Sequence, residues 1–423
     1  MSREMKNSGI PWIGEIPSRW RIETIGSCIK EVNEPNSDLS EDNSLQFKMG
    51  TIISKKYGDS KYNPESLEAY NKVKEGDIII NGLNLSFDFI SLRVGRVEEK
   101  GVITSAYLAV RPLPFIDSHF LNYLFKGYDY CKALHSMGRG LRATLGYKEF
   151  RKYSVIFPEF EEQKAITDFL DKKCEEIDDL ISLQDKIIEE LKAYKQSKVK
   201  EIFDSYLQKE PYSIYKLGGL ANLVTKQTGF DYANKISPSL VGEPSENTLP
   251  YLQTKNFKDG YWNYNTDYYI PKEVAVGFPK IILNKKCLLF SIVGASIGNV
   301  AVFPATTTAF LGGAICKVDL NEERNYEYVK NYMMSFYGQE QINAKINARA
   351  QGTITVQNVR DFKIPIFSST QIQERITKEI SALSETISSL IKTKQSKIEA
   401  LKDYKKSIIY EYVTGKKEVP YGK

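Results

Sequence analysis

Apolar residues recur at alternating spacings of four and three along two stretches of the chain. The first seam is Leu170, Cys174, Ile177, Ile181, Gln184, Ile188, Leu191, Lys195, Lys198 and Ile202. The same positions 210 residues later are Ile380, Ser384, Ile387, Ile391, Lys394, Ile398, Leu401, Lys405, Ile408 and Tyr412. This heptad spacing predicts two helices of about 38 residues, each roughly 57 Å long. One alternative is a pair of separate core helices, but the sustained heptads favour helices that pair with each other. We expect the pairing contacts from Leu170, Ile177, Ile181, Ile188, Leu191, Ile380, Ile387, Ile391, Ile398 and Leu401.

The two predicted helices are copies of one sequence. Fourteen identities connect Ile166–Phe203 with Ile376–Val413 at the fixed offset of 210 residues, without a gap. A repeat of this length indicates a duplicated unit, each copy being a globular segment followed by a long helix. If the helices pair in antiparallel orientation, the duplication predicts pseudo-twofold symmetry.

Short runs of β-branched and aromatic residues, broken by glycine, precede each helix and predict strands. They are 76–80, 94–97 and 105–110 in the first segment and 287–292, 297–302 and 314–318 in the second. Amphipathic helices are predicted at 120–131 and 326–337. The segment entrances also correspond, because Trp20, Ile22, Ile25 and Gly26 have the spacing of Tyr212, Ile214, Leu217 and Gly218.

We therefore predict an α+β protein with two mixed α/β-type domains separated by two long antiparallel coiled-coil helices. The predicted boundaries are 1–160 for the first domain, 161–205 for the central helix, 206–368 for the second domain, 369–415 for the C-terminal helix and 416–423 for a tail.

Composition limits the possible classes of protein. Lys and Arg total 58 against 53 Asp and Glu, a net charge of +5 that permits a nucleic-acid partner without requiring one. No secretory signal or membrane-spanning apolar run is evident, so we expect a cytoplasmic protein. The five cysteines are scattered, which argues against a disulfide framework or a zinc site.

Catalytic motifs are missing from the sequence. There is no phosphate-binding G-x-x-x-x-G-K-[ST] loop, and Gly294–Gly298 lacks the lysine of that motif. Neither an adenine methyltransferase motif nor the usual P-D…[DE]-x-K nuclease pattern is present. The histidines, His119 and His135, have no ligand-like spacing, and His135 is most simply a solvated residue at a helix end. We expect no catalytic or metal-binding residues.

Two sequence motifs resemble a known family. The string Ser8-Gly-Ile-Pro-Trp12-Ile-Gly-Glu-Ile-Pro17-Ser-Arg-Trp20 is closely similar to the opening of many specificity subunits of type I restriction–modification systems. Taken alone, it is also compatible with an N-terminal arm that packs two tryptophans. Ile156-Phe-Pro-x-x-x-Glu-Gln163 resembles the family's junction between a target recognition domain and a conserved helix. The second junction, with Gln373-Glu374, has the order of Glu and Gln reversed.

The resemblance implies a non-catalytic DNA-recognition subunit. In this family each recognition domain reads one half of a bipartite asymmetric DNA site, and the helix pair sets the spacer. The helices also dock modification (methyltransferase) subunits, expected to number two, which carry S-adenosylmethionine. Restriction (motor-nuclease) subunits using ATP and Mg²⁺ join them. The resemblance implies double-stranded DNA as partner, roles in DNA methylation and in phage defence, and no cofactor bound by this chain.

Candidate DNA contacts lie in the Gly- and Arg-rich loops that precede the last strand of each domain. Arginine suits guanine, glutamine and asparagine suit adenine, and glycine lets the backbone approach phosphate; a solvated turn is the alternative. The first-domain candidates are Arg139, Arg142, Thr144, Tyr147 and Lys148, and those of the second domain are Arg349, Gln351, Thr353, Thr355, Gln357 and Asn358. Loops after the middle strands add Asn84, Ser86, Ser296 and Asn299.

A second hypothesis is a coiled-coil adaptor that binds no DNA and only scaffolds other subunits. The net charge does not separate the two hypotheses. The matching loops and the N-terminal string favour DNA recognition.

Overall fold

The computed structural model describes residues 3–55, 67–141, 143–258, 261–321, 325–346 and 352–419, without the side chains of 258, 261 and 262. The chain divides into two compact units. Unit 1 comprises Met1–Asp185 and Lys394–Lys423, and unit 2 comprises Lys186–Thr393. Each unit mixes strands and helices, and each contains part of both long helices, which confirms the predicted fold class.

Unit 1 is built from short strands. Its described strands are β1 (Met5–Asn7), β2 (Glu15–Pro17), β3 (Arg21–Thr24), β4 (Ile29–Glu31), β5 (Leu45–Lys48), β6 (Thr51–Ser54), β7 (Tyr70–Val73), β8 (Ile78–Ile80), β9 (Val94–Arg96), β10 (Gly101–Thr104), β11 (Leu108–Pro112) and β12 (Ser154–Phe157). Its helices are α1 (Ile25–Cys28), α2 (Ser118–Tyr130), α3 (Ala133–Met137), α4 (Tyr147–Phe150) and the first part of α5 (Phe160–Lys209).

The central sheet of unit 1 has the order β4-β11-β8-β9, with antiparallel neighbours. All three isoleucines of β8 are buried, as expected for a β-branched run in the middle of a sheet. The predicted strand at 105–110 begins only at Leu108, because the preceding residues turn back and the Tyr107 amide donates to Thr104 O at 3.2 Å. Helix α2 begins after Asp117, whose carboxylate accepts from the Phe120 amide at 2.8 Å.

Unit 2 repeats this frame. Its described strands are β13 (Tyr212–Lys216), β14 (Ala221–Lys226), β15 (Thr248–Leu252), β16 (Phe257–Lys258), β17 (Tyr261–Trp262), β18 (Tyr269–Pro271), β19 (Ile282–Leu283), β20 (Cys287–Ser291), β21 (Val300–Phe303), β22 (Ala309–Leu311), β23 (Ile315–Leu320) and β24 (Lys363–Phe367). Its helices are α6 (Gly229–Asp231), α7 (Lys272–Ala275), α8 (Tyr326–Met334), α9 (Phe336–Asn343), α10 (Val356–Asp361) and the first part of α11 (Thr370–Val413).

The central sheet of unit 2 is β14-β23-β20-β21, the same order of strands as in unit 1. The entrances also match: β3 pairs with β12 and β13 pairs with β24, both antiparallel. Gly26 lies against Arg151 and Gly218 lies against Arg360, and a Cβ on either glycine would come within about 3.1 Å of that arginine. Glycine therefore recurs at this position because an arginine lies close to its backbone in both units.

The rest of each unit differs. Unit 2 has a second sheet, β18-β15-β22-β19, with its own core around Phe257 and Phe310, and β15 runs parallel to β22. Unit 1 has instead the two-stranded pairs β5–β6 and β7–β10. The two units therefore share their central sheets and entrance strands but differ in their other strands, in agreement with the sequence, in which the repeated positions lie at the entrances and in the long helices.

The two long helices are longer than the heptad seam predicts. Helix α5 extends over 50 residues and α11 over 44. Within unit 1 they run antiparallel, since Phe169 contacts Tyr412 while Asp178, further along α5, pairs with the earlier Lys405. Within unit 2, Tyr206 donates to Glu379 at 2.6 Å. Of the predicted pairing residues, Leu170, Ile177, Ile188, Ile380, Ile387 and Ile398 are buried, and Ile181, Leu191, Ile391 and Leu401 are half-buried.

The N-terminal string forms a packed arm in unit 1. Strands β1 and β2 pair, with Gly9 and Gly14 at positive φ between them. Trp20 is buried against Phe120, and Trp12 accepts a hydrogen bond from the Tyr410 hydroxyl at 2.7 Å through its carbonyl. The string therefore anchors the end of α11. Among the described residues, no helix is both long and apolar enough to span a membrane.

Candidate nucleic-acid interface

Two predicted loops of unit 1 are joined by hydrogen bonds. Loop A (Asn81–Leu92) follows β8, and loop B (Gly138–Gly146) follows α3. The Leu145 amide donates to Gly82 O at 2.9 Å, and the Leu85 amide donates to Ala143 O at 3.1 Å. A Cβ at Gly82 would lie 2.4 Å from Leu145 O, so only glycine permits this approach. The candidates on the two loops therefore belong to one surface.

Loop B is a small hairpin. Arg139 and Thr144 exchange backbone hydrogen bonds of 3.0 and 2.9 Å. The turn between them needs positive φ at Gly140 (80°) and at Ala143 (44°), and the side chain of Leu141 is 94% exposed at its tip. Arg142 lies outside the described residues. The hairpin presents the exposed side chains of Arg139 and Thr144 on a fixed backbone.

Buried Arg93 holds loop A. Its guanidinium donates to Leu83 O at 2.9 Å and to Asp88 O at 2.6 Å, and it forms an ion pair with the Asp88 carboxylate at 3.2 Å. Carbonyl acceptors on a charged donor make strong hydrogen bonds, which fix the course of the loop. The pKa of Asp88 is lowered to about 2, mainly by hydrogen bonds from Ser91.

His135 supports the same loop. Its ring stacks on Phe89 at 4.7 Å between centroids, and Nε2 lies 3.0 Å from Asp88 O. The expectation of a solvated helix-end histidine was therefore wrong, because the half-buried ring is covered by Phe89. Sequence reasoning missed the exposed Phe87, Phe89 and Ile90 of this loop. Their signal was the alternation of apolar and polar residues from Leu83 to Phe89, which is more typical of a strand than of a loop.

The remaining candidates of unit 1 differ in exposure. Asn84, Ser86 and Lys148 are exposed. Asn84 has φ of 55°, a conformation that asparagine tolerates better than most residues. Tyr147 is half-buried, with its hydroxyl 3.4 Å from Ile29 O and the Arg151 guanidinium 5.6 Å above its ring. Tyr147 is therefore held by contacts within unit 1.

Unit 2 joins the corresponding loops in the same way. Loop C (Val293–Asn299) follows β20, and loop D (Gly352–Thr355) precedes α10. The Ile354 amide donates to Ile292 O at 3.0 Å, and the Gly294 amide donates to Gly352 O at 3.2 Å. Thr353 is paired with Val293 through an isolated bridge. Arg349 and Gln351 lie outside the described residues, so their prediction as base contacts is untested.

Several candidates of unit 2 already have structural partners. Asn299 donates through Nδ2 to Phe257 O at 2.7 Å. Thr355 and Asn358 form a capping box at the start of α10. Gln357 donates to Asp361 at 3.0 Å. Ser296 and Thr353 are half-buried within the joined loops. Thr355, Asn358 and Asn299 thus have structural roles, and the DNA contacts of all these residues stay predictions.

The exposed side chains of these loops and of the adjoining α4 are of the types that bind the phosphates and base edges of a nucleic acid. Arg139 and Lys148 supply cations, and Asn84, Ser86 and Thr144 supply hydrogen-bonding groups of the kind that contact phosphates and base edges. No cluster of three or more metal-ligating side chains occurs among the residues that the structure describes.

Comparison with known proteins agrees with this arrangement. Residues 209–400 match the family described as the type I restriction modification DNA specificity domain. No curated protein matches the sequence with significance. The fold is similar to a chain in a structure concerned with complex assembly and conformational transition of the type I R-M system, with a TM-score of 0.67, 14% identity and coverage of 94% of this chain and 98% of that chain.

Two further solved structures are more distant. The HsdS subunit from Thermoanaerobacter tengcongensis has a TM-score of 0.46 and 16% identity, covering 95% of this chain and 98% of that one. The type I restriction–modification S subunit from M. genitalium has a TM-score of 0.36 and 14% identity, covering 93% and 96%.

Proposed function

We propose that the chain is a member of the type I restriction–modification DNA specificity family, whose domain model matches residues 209–400, and that it is the subunit that selects the DNA site. Each unit reads one part of a bipartite, asymmetric double-stranded site. Unit 1 reads with loops A and B, and unit 2 reads with loops C and D and the residues that precede loop D. This assignment agrees with two units that share the arrangement of their central strands but have different loops.

One observation supports this function above the others. In each unit, backbone hydrogen bonds join the segment that follows β8 or β20 to the loop that precedes the last strand, and the central sheets of the two units have the same strand order. In unit 1 the bond is from Leu145 N to Gly82 O, and in unit 2 it is from Ile354 N to Ile292 O. Because backbone hydrogen bonds hold these loops together, the side chains on the loops can differ without loss of the loop structure. Variation of that kind is what recognition of different sequences requires.

Within unit 1 we assign roles by chemistry and exposure. Arg139 is the candidate for guanine, because a guanidinium can donate to O6 and N7 together. Lys148 is a phosphate contact, since a flexible ammonium carries charge without a fixed hydrogen-bonding geometry. Thr144 and Asn84 contact base edges or phosphates beside them. Arg349 and Gln351 have the corresponding base-reading roles in the second half.

The long helices α5 and α11 act, in this proposal, as spacer and docking surface. Their antiparallel contacts in unit 1, Phe169 with Tyr412 and Asp178 with Lys405, fix the register of the pair there. Modification subunits, two in number, dock on the helices and carry S-adenosylmethionine. Restriction subunits carry ATP and Mg²⁺. These cofactors serve the reactions on the partner subunits, and the chain itself catalyses neither methylation nor cleavage, because its sequence lacks the motifs for both.

A titration of labelled duplex tests DNA recognition directly. The full chain with its modification subunits is titrated against random duplex and against total host DNA fragments, by fluorescence anisotropy at low and moderate salt. We expect binding whose affinity falls steeply with salt, as phosphate contacts release counterions. Arg139→Ala should weaken binding, whereas Arg21→Ala, an exposed arginine of β3 paired with Glu159, should not. Absence of salt-sensitive binding would favour the adaptor that binds no DNA.

A further inference from the structure

Unit 2 contains a cavity of about 570 Å³ beside loop C. Val293, the first residue of loop C, forms part of its rim. The lining residues that matter here are Lys226, Gln227, Tyr232, Tyr251, Lys255 and Gly313. The volume is within the range of about 300–1,000 Å³ that is typical of small-molecule sites.

Gln227 presents an unused hydrogen-bonding group to this cavity. Its side chain is only 3% exposed, and its Oε1 accepts from the Tyr251 hydroxyl at 3.1 Å. Its Nε2 is buried and has no hydrogen-bond partner among the residues that the structure describes. Buried polar groups are nearly always satisfied, so an unpaired amide in the lining of a cavity indicates a partner that the cavity receives.

The surroundings hold Gln227 in this orientation. The Gly313 amide donates to the Tyr251 hydroxyl at 3.3 Å, which orients that hydroxyl toward Gln227. A Cβ on Gly313 would lie 2.9 Å from the Gln227 Oε1, so a larger residue would displace the amide. The glycine keeps the wall open, and the tyrosine fixes the direction of the amide.

The donor and acceptor of one amide match one base edge. Nε2 can donate while Oε1, which has a second lone pair, can accept, and glutamine uses this pair on N7 and N6 of adenine. The ring of Tyr232 is 41% exposed at the cavity and can stack on a base. Lys226 is exposed, and Lys255, ion-paired with Asp267, lies nearby; both cations suit a phosphate.

We propose that this cavity binds an adenine nucleotide, with Gln227 reading the base, Tyr232 stacking on it and Lys226 contacting its phosphate. The nucleotide is either an adenosine unstacked from the bound duplex or a free adenine nucleotide. The first source rests on the proposed DNA-recognition function, and the second does not.

The free-nucleotide arm uses the full chain and dAMP, dGMP, dCMP and dTMP in ligand-observed NMR. We expect saturation transfer to dAMP well above that to the other three. Gln227→Leu, which keeps the volume and removes both hydrogen-bonding groups, should reduce dAMP affinity about five- to a hundred-fold. Gln227→Glu, which replaces the donor by an oxygen, should do the same. Gln208→Leu, an exposed glutamine of α5, should leave dAMP binding unchanged.

The duplex arm uses the site identified by methylation profiling, with 2-aminopurine, which keeps N7 but has its amino group at C2, replacing one adenine at a time. An unstacked 2-aminopurine brightens when the chain binds, and Gln227→Leu should abolish the increase at that position while Gln208→Leu keeps it. Brightening without dAMP binding assigns the cavity to DNA alone, and dAMP binding without brightening assigns it to a free nucleotide.

If the chain binds its duplex but neither signal is observed, the cavity proposal is overturned while DNA recognition stands. If the chain binds no DNA yet takes up dAMP in a Gln227-dependent way, the proposed function fails and the adenine site remains. Equal dAMP binding by wild type and Gln227→Leu would also overturn the proposal, because it would place the nucleotide elsewhere.

Discussion

Lys405 of α11 forms a double hydrogen bond with Asp178 of α5, with Nζ 2.7 Å from Oδ1 and 2.6 Å from Oδ2. In the heptad seam Lys405 is the repeat of Lys195, but Asp178 is the repeat position of Ser388, so the duplication did not preserve the acidic partner. The polar position predicted inside the seam is therefore an ion pair in unit 1, and it holds the two helices in antiparallel register there.

Reversing this pair tests the register. Asp178→Lys should lower the free energy of unfolding by about 0.2–1 kcal/mol, since the pair is partly exposed and Lys126 adds another cation nearby. The double variant Asp178→Lys with Lys405→Asp should recover most of the loss. Urea denaturation monitored by circular dichroism gives both values. A double variant no more stable than the single one would show that the ion pair does not set the register.

Gly82→Ala tests the junction of loops A and B. The new methyl would meet Leu145 O at 2.4 Å, so the junction must open, at a cost of about 1–3 kcal/mol. Gly219→Ala is the matched control, because no heavy atom lies within 4 Å of its added Cβ. We expect Gly82→Ala alone to lower both thermal stability and DNA affinity. Unchanged DNA affinity in a destabilised Gly82→Ala protein would separate the junction from recognition.

The Asp129 carboxyl gives unit 1 a pH-dependent stability. Burial raises the pKa of Asp129, although the Arg93 amide hydrogen bond, at 2.7 Å, and the charges of Lys132, His135 and Arg93 oppose the shift. A raised folded-state pKa contributes stability below the unfolded value of about 3.9, and that stability is lost as pH rises through the folded value. Asp129→Asn should therefore be more stable than wild type at pH 7, with an advantage that shrinks on acidification.

Thermal denaturation of both proteins between pH 7.5 and about 4 measures this difference. Asp179→Asn is the control, because Asp179 is exposed on the part of α5 that belongs to unit 1. An advantage of Asp129→Asn that grows toward low pH would contradict the direction of the shift.

Lengthening α5 tests the role of the helices as a spacer. Four residues inserted after Tyr194, roughly one turn, add ~6 Å, which corresponds to one or two base pairs at ~3.4 Å each. The insertion also shifts the heptad seam, so some loss of stability is expected. Methylation profiling should report the same two half-sites at an altered distance. A folded, assembled and active variant that keeps the original spacing would leave the helices as a docking surface only.

Much of this architecture is predictable because its signals are local. The heptads around Ile177 and Ile387 are periodic over many turns, and Gly415, at φ of 70°, follows the end of α11, where glycine is common. Gln373 likewise has a role that is predictable from the residues next to it in sequence. It occupies the place of Gln163: each donates to the end of the preceding strand, at Pro158 O and Phe367 O. The glutamine therefore keeps its position at the second junction. Only the glutamate differs, because it follows the glutamine instead of preceding it.

The missed features depend on residues far apart in sequence. The parallel pairing of Tyr251 with Phe310 joins strands of three to five residues, too short for a periodic signal. The burial of Arg93 follows from acceptors on loop A, and nothing beside Arg93 in sequence marks them. Thr355 and Asn358 cap α10 with their side chains, and their predicted contact with DNA stays a prediction. Polar residue types alone do not distinguish capping from recognition.

The central claim is that each unit reads its own part of one bipartite site. Methylation profiling of a host that expresses the modification subunits with this chain tests it most directly. The profile should show two specified segments separated by an unspecified gap. Arg139→Ala should relax one segment only, and Arg349→Ala or Gln351→Ala the other only, at about 1–3 kcal/mol for each lost base contact. A contiguous methylated motif, or variants of both units that relax the same segment, would contradict the claim.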